Sequence, residues 1–345
     1  MEETPHRRRP RYSGKNPRRF EEKYKELNPD KYAGEIRKVI ERGHTPAGMH
    51  RPICVDEIIE VLAPQPGETG LDATLGFGGH ARELLQRVMP GGCLYATDVD
   101  PLELPRTEAR LRELGYGADA LRVHKMNFAG ILKLLPEIGE GFDFVLADLG
   151  ISSMQLDNPE RGFTFKKDGP LDLRLNPERG QSAAALLKSV SEDALEKILR
   201  VNADEPHARE IAHAVHRRRE SINTTLELAE AVRAAVMPLL QGDTDKESSK
   251  TLQRTFQALR IAVNDEFSAL DQFLRALPSV VKSGGRIAIL TFHSGEDNRV
   301  IKSFEEGLNA GIYTAISVEP IRPSGKERFE NPRSKCARLR WAYKA

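Results

Sequence analysis

Apolar positions along this chain follow two rhythms. From Pro52 onward, short apolar runs bounded by Gly, Pro or Asp alternate with stretches in which apolar residues recur every three or four positions. The runs at Thr69–Ala73, Cys93–Asp98, Ala120–Lys125, Phe142–Asp148 and Arg286–Phe292 are predicted strands. Continuous apolar runs of this length suit strands covered on both faces of a parallel sheet. Amphipathic helical patterns separate the first four. They include "HARELLQRVM" from His80 and "PLELPRTEARLREL", in which Pro105 belongs in the first turn. Such alternation predicts an α/β fold.

The alternation stops after Asp148 and resumes at "SGGRIAILTFH", more than a hundred residues later. A structureless loop of that length is improbable in a compact domain, so helices are predicted to fill it. "TTLELAEAVRAAVMPLL" opens with a Thr224–Glu227 capping box and sets Leu228, Val232, Val236 and Leu239 on one face. An inserted helical domain is expected over residues 156–250, between core segments 45–155 and 251–345. One long helix is expected to return to the sheet, with Phe256, Leu259, Val263, Phe267, Leu270 and Leu274 along one side. "YTAISVEPIRPS" and "ARLRWAYKA" are expected to close the sheet as an antiparallel pair. Residues 1–44, rich in Arg, Pro and Lys, read as a basic, largely disordered extension with short helices near Phe20–Glu26 and Ala33–Glu41.

Composition narrows the setting. With 345 residues and 39% hydrophobic content, the chain can build a real core. Cys54, Cys93 and Cys336 are too scattered for a disulfide framework or a metal knuckle, so a reduced, cytoplasmic setting is expected. No apolar run approaches the ~18 residues of a membrane span, and the basic start lacks the apolar stretch of a secretory signal. The net charge of +1 hides an uneven distribution: residues 1–25 carry nine Lys/Arg against four Glu, and residues 320–345 carry eight against two. Basic ends on an acidic body fit a polyanion such as nucleic acid, or are simply solvated.

The stretch "GLDATLGFGGHARELL" reads as strand, glycine turn and helix start. Ligands of open α/β sheets bind at the carboxyl ends of the strands, where Asp72, Asp98 and Asp148 fall. Glycine lets the backbone approach a ligand closely. Asp98 follows Gly78 by 20 residues, the place of a carboxylate that accepts ribose hydroxyls. "GFGGHA" lacks the third glycine of the dinucleotide fingerprint, and no G-K-[ST] is present, which counts against NAD and against a P-loop. S-adenosylmethionine (SAM) fits, helped by the reversed closing pair. The plainer reading is a simple turn, with strand-end Asp residues capping helices. His207, His213 and His216 invite a zinc reading, but no carboxylate or cysteine pattern completes such a site, and no metal is expected. Arg217, Arg218 and Arg219 could meet phosphates or form an exposed face.

Longer runs carry a resemblance. "DATLGFGGHA", "DVDP", "FVLADLGISSMQLDNPERGFTFKKDGPLDLRLNP", "TFQALRIAVNDEF", "GGRIAILTFHSGED" and "NPRSKCARLR" closely resemble the RsmH (MraW) family, in order from His44 to Arg340. The resemblance implies a Rossmann-like class I SAM-dependent methyltransferase with a helical insertion. It implies methylation of N4 of a decoding-centre cytosine in 16S rRNA, with the small ribosomal subunit as partner. Carried over by position, cofactor contacts fall on Gly78, Gly79, His80, Asp98, Phe128, Asp148 and Gln155. The chain departs from the family at "NADE" (Asn202–Glu205) where the family reads YGEE, and at "FHSGED" where it reads FHSLED. "HTPAGMHRPICVDEI" is longer than its counterpart, and the basic extension is unusual. These differences suggest a diverged branch or paralogue acting on another base. A non-catalytic SAM-binding assembly factor and, more distantly, a NAD-linked oxidoreductase are the other readings. Oligomeric state is left open, a dimer among the options.

A cytosine amine is a weak nucleophile and must be aimed at the methyl group. Asp148 is the expected acceptor that orients it and takes its proton, with Ser152 or Ser153 assisting. A cofactor-binding role for Asp148 is the alternative, as are backbone carbonyls for the amine. His293 is expected near the substrate mouth or as a structural histidine. Phe163 and Phe165, flanked by Arg161, Lys166 and Lys167, are expected either to stack on a splayed base or to pack the insertion.

Overall fold

Seven strands form one sheet in the computed structural model, which describes residues 52–345. The extension expected over 1–44, with its two short helices, lies outside the described residues. The chain enters through helix α1 (Val55–Leu62) and then alternates β1 (Thr69–Asp72), α2 (Gly79–Val88), β2 (Cys93–Asp98), α3 (Glu103–Glu113), β3 (Leu121–Lys125) and β4 (Phe142–Asp148). A short helix, α4 (Ser153–Asp157), leads into the helical segment: α5 (Ala183–Ser189), α6 (Glu192–Ala203), α7 (Ala208–Arg218), α8 (Thr225–Val236) and α9 (Thr244–Asn264). Then follow α10 (Glu266–Val280), β5 (Val281–Thr291), α11 (Ser294–Asn309), β6 (Tyr313–Ile316), α12 (Gly325–Glu330) and β7 (Arg338–Lys344).

The strand order is β3-β2-β1-β4-β5-β7-β6. β1 to β5 run parallel, and β7 lies antiparallel to both β5 and β6. The order reverses between β1 and β4, so a crevice opens above their carboxyl ends. The pleat sends Phe144 and Leu146 into one apolar layer, with Leu84, Leu94 and Leu290, and Val145 and Ala147 into the other, with Leu71, Phe273 and Phe304. Both faces of the sheet are therefore buried, as the unbroken apolar runs require.

A third apolar cluster, including Leu187, Leu199, Ile211, Val232, Phe256 and Leu259, belongs to the helical segment. Three sequence expectations are corrected here. The single long helix is two: α9 ends and α10 begins around Asp265, whose backbone is left-handed (φ 49°). The Asn264 side chain donates to the Leu173 carbonyl at 2.7 Å and accepts from Leu175 N–H at 2.7 Å, which holds the corner. Phe256 and Leu259 thus serve the helical cluster, whereas Leu270 and Leu274 serve the sheet. We propose Asp265, rather than residue 250, as the far boundary of the insertion. Leu239 lies beyond the end of α8 and is exposed. β5 begins five residues before Arg286, because Val281 already pairs with Phe142 and the Gly284–Gly285 region bulges before pairing resumes at Arg286.

Two of the departures from the family pattern have packing roles. In "NADE", Asp204 terminates α6 in the left-handed region, and the buried Glu205 accepts from Arg254 Nε at 2.7 Å and from His207 N–H at 3.0 Å. In "FHSGED", a Cβ on Gly295 would stand 2.5 Å from Phe267 Cζ, so the Phe267 ring fills the volume a larger residue would need. Arg299 lies over that ring at 3.7 Å and donates to the Gly295 carbonyl. Gly295→Leu is therefore expected to lower stability by about 1–3 kcal/mol through overpacking. Gly295→Leu combined with Phe267→Leu should recover most of the loss, and additive effects in thermal melts would refute the coupling.

Five of the eight basic residues over 320–345 are structural, Arg322 among them through a bond to the Ala337 carbonyl. Arg338 and Arg340 pair with the nearly buried Asp297, Arg333 pairs with Asp157, and Lys344 Nζ donates to the Pro278 and Val281 carbonyls. The charge run overstates what this end can offer a polyanion.

Candidate functional site

The glycine turn is built by the sheet on either side of it. Ala73 N–H donates to Leu146 O on β4, and Leu75 N–H donates to Thr97 O on β2. Gly76 (φ 48°) and Gly78 (φ 73°) take left-handed backbone, and a Cβ on Gly78 would also meet Thr107 Cγ2 at 2.9 Å. α2 then starts at Gly79, one residue earlier than the apolar pattern indicates, with no side-chain cap on its first turn. Its first-turn N–H groups and positive dipole end are thus left without a capping side chain.

Asp98 closes β2 as expected. Its Oδ2 accepts from Gly76 N–H at 2.8 Å and its Oδ1 from Asp100 N–H at 2.9 Å. Burial raises its pKa, and these two N–H groups partly offset the rise. Each oxygen retains acceptor capacity for a hydroxyl.

Asp148, His80 and Asp72 meet across the ends of β4, α2 and β1. His80 Nε2 stands 3.5 Å from Asp148 Oδ2, and Asp148 N–H donates to Thr74 Oγ1 at 2.6 Å. Three buried polar atoms here have no hydrogen-bond partner: Asp72 Oδ2, His80 Nε2 and Asp148 Oδ1. Asp72 is 1% exposed. Burial pushes its pKa up to about 6, against the opposing pull of His80 and the Thr74 N–H, and with the charges of Asp148 and Asp98 adding to the rise.

This shift fixes a sign. The folded protein holds the Asp72 proton to about pH 6, whereas the unfolded chain releases it near 3.8. Rising pH between these values therefore favours the unfolded state, by at most about 3 kcal/mol. Asp72→Asn should remove that loss. Its advantage in melting temperature over the parent should grow from pH 4 to 6 and then level off; a constant difference would refute the burial argument.

Sequence reasoning overlooked the hub of the site. Asp100, the second acid of "DVDP", is 1% exposed. Its Oδ2 accepts from Arg161 Nη1 at 2.7 Å and Gln155 Nε2 at 2.8 Å, while Oδ1 accepts from Leu102 N–H at the start of α3. Arg161 also donates to the carbonyls of Arg174 and Leu175. A buried Asp bound to a buried Arg clamps the segment after β4 onto the end of β2. The signal was in the spacing, two residues past the ribose position and ahead of a helix start.

The remaining candidates sort as follows. Gln155 and Ser152 form the capping box of α4: Gln155 Oε1 accepts from Ser152 N–H, and Ser152 Oγ accepts from Gln155 N–H. Both ends of the Gln155 amide are thus engaged. Ser153 opens α4, and its carbonyl accepts from Arg333. Phe128 follows β3 and packs edge-on against Phe273 at 5.2 Å. His293 caps α11, accepting from Glu296 N–H, and contacts the Glu296 carboxylate at 3.2 Å. Burial alone would raise the Glu296 carboxyl, but His293 and Arg260 hold it low.

The stacking expectation is corrected for Phe163, which is buried within the helical cluster and so has the packing role. Phe165 is half-buried and packs on Phe256 at 5.6 Å. Arg161, buried on Asp100, is not available to phosphates, whereas Lys166 and Lys167 are exposed. His213 contacts Glu192 at 3.0 Å, Arg218 pairs with Glu230, and Arg219 donates to the His216 carbonyl.

Asp72, Asp98 and Asp148 gather three carboxyl groups at the crevice, and one buried oxygen on each of Asp72 and Asp148 has no hydrogen-bond partner. Such a crevice suits a ligand carrying positive charge and hydroxyl donors. The sulfonium, ammonium and ribose groups of SAM match that demand.

Comparison with known proteins is concordant. The MraW methylase family model matches residues 47–345. A ribosomal RNA small subunit methyltransferase H 2 of Alkaliphilus metalliredigens is 54% identical over 99% of this chain and 99% of its own length. A ribosomal RNA small subunit methyltransferase H 1 of Lachnoclostridium phytofermentans is 52% identical over 100% of this chain and 94% of its own. Among solved structures, an rRNA methylase from Streptococcus thermophilus aligns loosely, at TM-score 0.37 and 14% identity over 84% of this chain and 93% of that one. Matched by the family model over every described residue, the chain belongs to the MraW methylase family.

Proposed function

We propose that this enzyme transfers the methyl group of SAM to N4 of a cytosine in 16S rRNA of the small ribosomal subunit. The observation that carries the reading is the buried, unsatisfied carboxylate set beside the glycine turn. The small-subunit rRNA substrate follows the names of its relatives, and the N4 position follows the family resemblance of the run from Asp148 to Pro177. With rRNA as substrate, the setting is the cytoplasm. No helix of the described residues is long and apolar enough to cross a membrane.

SAM supplies an electrophilic methyl group on a sulfonium. The chain supplies position and proton handling. Asp98 takes the ribose hydroxyls on its two oxygens, each already steadied by one backbone N–H. The open first turn of α2, at Gly78, Gly79 and His80, receives the carboxylate of the methionine moiety. Phe128, fixed by Phe273, borders the adenine. Gln155 acts through Asp100, holding the second acid of "DVDP" in place. The Asp148 carboxyl, whose side chain is partly exposed at the strand end, accepts an N–H of the target amine and so turns the amine lone pair toward the methyl group. The N–C bond forms as the C–S bond breaks, its electron pair going to sulfur. The proton shed by the methylated amine passes to Asp148.

The full chain should be incubated with tritiated SAM and either small subunits or naked 16S rRNA, and the RNA then digested to nucleosides. N4-methylcytidine is the expected product. Label on carbon 5, on a ribose hydroxyl or on a purine would overturn the assignment.

A further inference from the structure

One surface feature lies outside this machinery. α12 buries none of its six residues. It carries Phe329 at 87% exposure, more than any other large apolar side chain described. An open recess of about 590 Å³ beside it is lined by Gly325, Arg328, Phe329, Pro332 and Lys335. Lys326, Arg328 and Lys335 are exposed and form no ion pair among the described residues; Glu330 is the one exposed acid on the helix. The patch is therefore aromatic and net positive.

Its mounting ties it to the crevice. Glu327 Oε1, on the inner side of α12, accepts Cys54 N–H at 3.0 Å, at the residue that precedes α1. In the turn that follows, Arg333 donates to Asp157 at 2.6 Å and to the Ser153 carbonyl, both in the short helix after β4. The patch is thus anchored to the segment that leaves the end of β4. An exposed ring between cations is the arrangement that binds unpaired nucleotides, with bases on the ring and phosphates on the cations.

We propose that Phe329, Arg328 and Lys335 form a stacking platform for a single-stranded stretch of the RNA substrate next to the target nucleotide. The proposal rests on the RNA methyltransferase reading above. Phe329 takes the face of one base, and the two cations take the flanking phosphates.

The test uses the full chain and a labelled single-stranded RNA of about 12 nucleotides, with a duplex of the same length as control. Phe329→Ala should weaken single-strand binding roughly 10-fold, Phe329→Trp should retain it, and Phe329→Leu should not restore it. Duplex binding should be unmoved by the ring variants. Arg328→Ala with Lys335→Ala should flatten the salt dependence of single-strand binding by about 1.4 log units per log unit, near 0.7 for each phosphate no longer neutralised. In methyl transfer, Phe329→Ala should raise KM for the RNA and leave saturated turnover and SAM affinity unchanged. Equal RNA affinity in Phe329→Ala and parent would overturn the platform. So would a Phe329→Ala effect confined to sedimentation, which would make the patch a contact for a second copy or another protein. A parent protein that methylates no RNA would sink the underlying reading instead, and the direct binding arm keeps the two failures apart.

Discussion

Replacing Asp148 by Asn is expected to cut methyl transfer by about 10²–10³-fold, the usual loss when one oriented, charged contact is removed from a closed site. The fold should survive, because Asn is nearly isosteric and the Asp148 N–H still reaches Thr74 Oγ1. SAM affinity should change little. What disappears is a carboxyl group that can only accept on both oxygens, on a partly exposed side chain at the strand end. Asn can present an N–H₂ there, which repels an amine donor instead of accepting from it. Asp98→Ala is the counterpart: its expected loss is in SAM affinity, by roughly 1.5–3 kcal/mol for hydrogen bonds to a charged acceptor. Calorimetry and single-turnover transfer on the two variants separate the roles. Equal turnover in Asp148→Asn and parent would remove Asp148 from the chemistry.

Arg161→Leu should be the most damaging single change outside the crevice. It leaves Asp100 as a buried anion held only by Gln155 and helix-start N–H groups. Breaking one side of a buried ion pair typically costs about 3–5 kcal/mol. For a unit of this size that is a fall in melting temperature of roughly 10 °C. The Arg174 and Leu175 carbonyls lose their donor at the same time. Because Asp100 N–H is one of the two supports of Asp98, SAM affinity should fall together with stability. A destabilised variant that binds SAM as tightly as the parent would show that the clamp and the ribose acid are independent.

The sheet was readable because burial on both faces writes continuous apolar runs into the chain. β2 and β4 fall on the expected residues, and β1 and β3 differ by one. β5 was read short because Gly284 and Gly285 look like a turn when they form a bulge inside the strand, a distinction made only by the Phe142–Val281 pairing. The α9–α10 junction was invisible for a different reason. Its apolar positions keep helical spacing straight through Asp265, and only contacts with Leu173 and Leu175, some ninety residues away, bend the chain there. At the site, the strand-end acids and the glycine turn were legible as local motifs. The Asp100–Arg161 clamp was not, since it joins residues 61 apart whose types alone suggest surface charges. Phe163 misled in the same way: an aromatic beside Arg and Lys looks like a base-stacking site until its burial is known.

The corner at Asp265 has a mechanical consequence. α9 has 21 residues and lies along the helical cluster, from Leu252 to Val263, up to the corner, where Arg260 grips Glu266 through two bonds of 2.8 and 2.9 Å. α10 then runs straight into β5, and through it to the strand ends. At 1.5 Å per residue, α9 is a strut of roughly 30 Å. Whatever the helical segment holds is thereby kept at a set distance and azimuth from the methyl-transfer crevice, like a workpiece in a jig. One residue added within α9 would turn everything beyond it by about 100° and lengthen the strut by about 1.5 Å. One added in the loop around Gly242, just ahead of the strut, would be absorbed. The chain should therefore tolerate changes of length there, and refuse them between Thr244 and the corner.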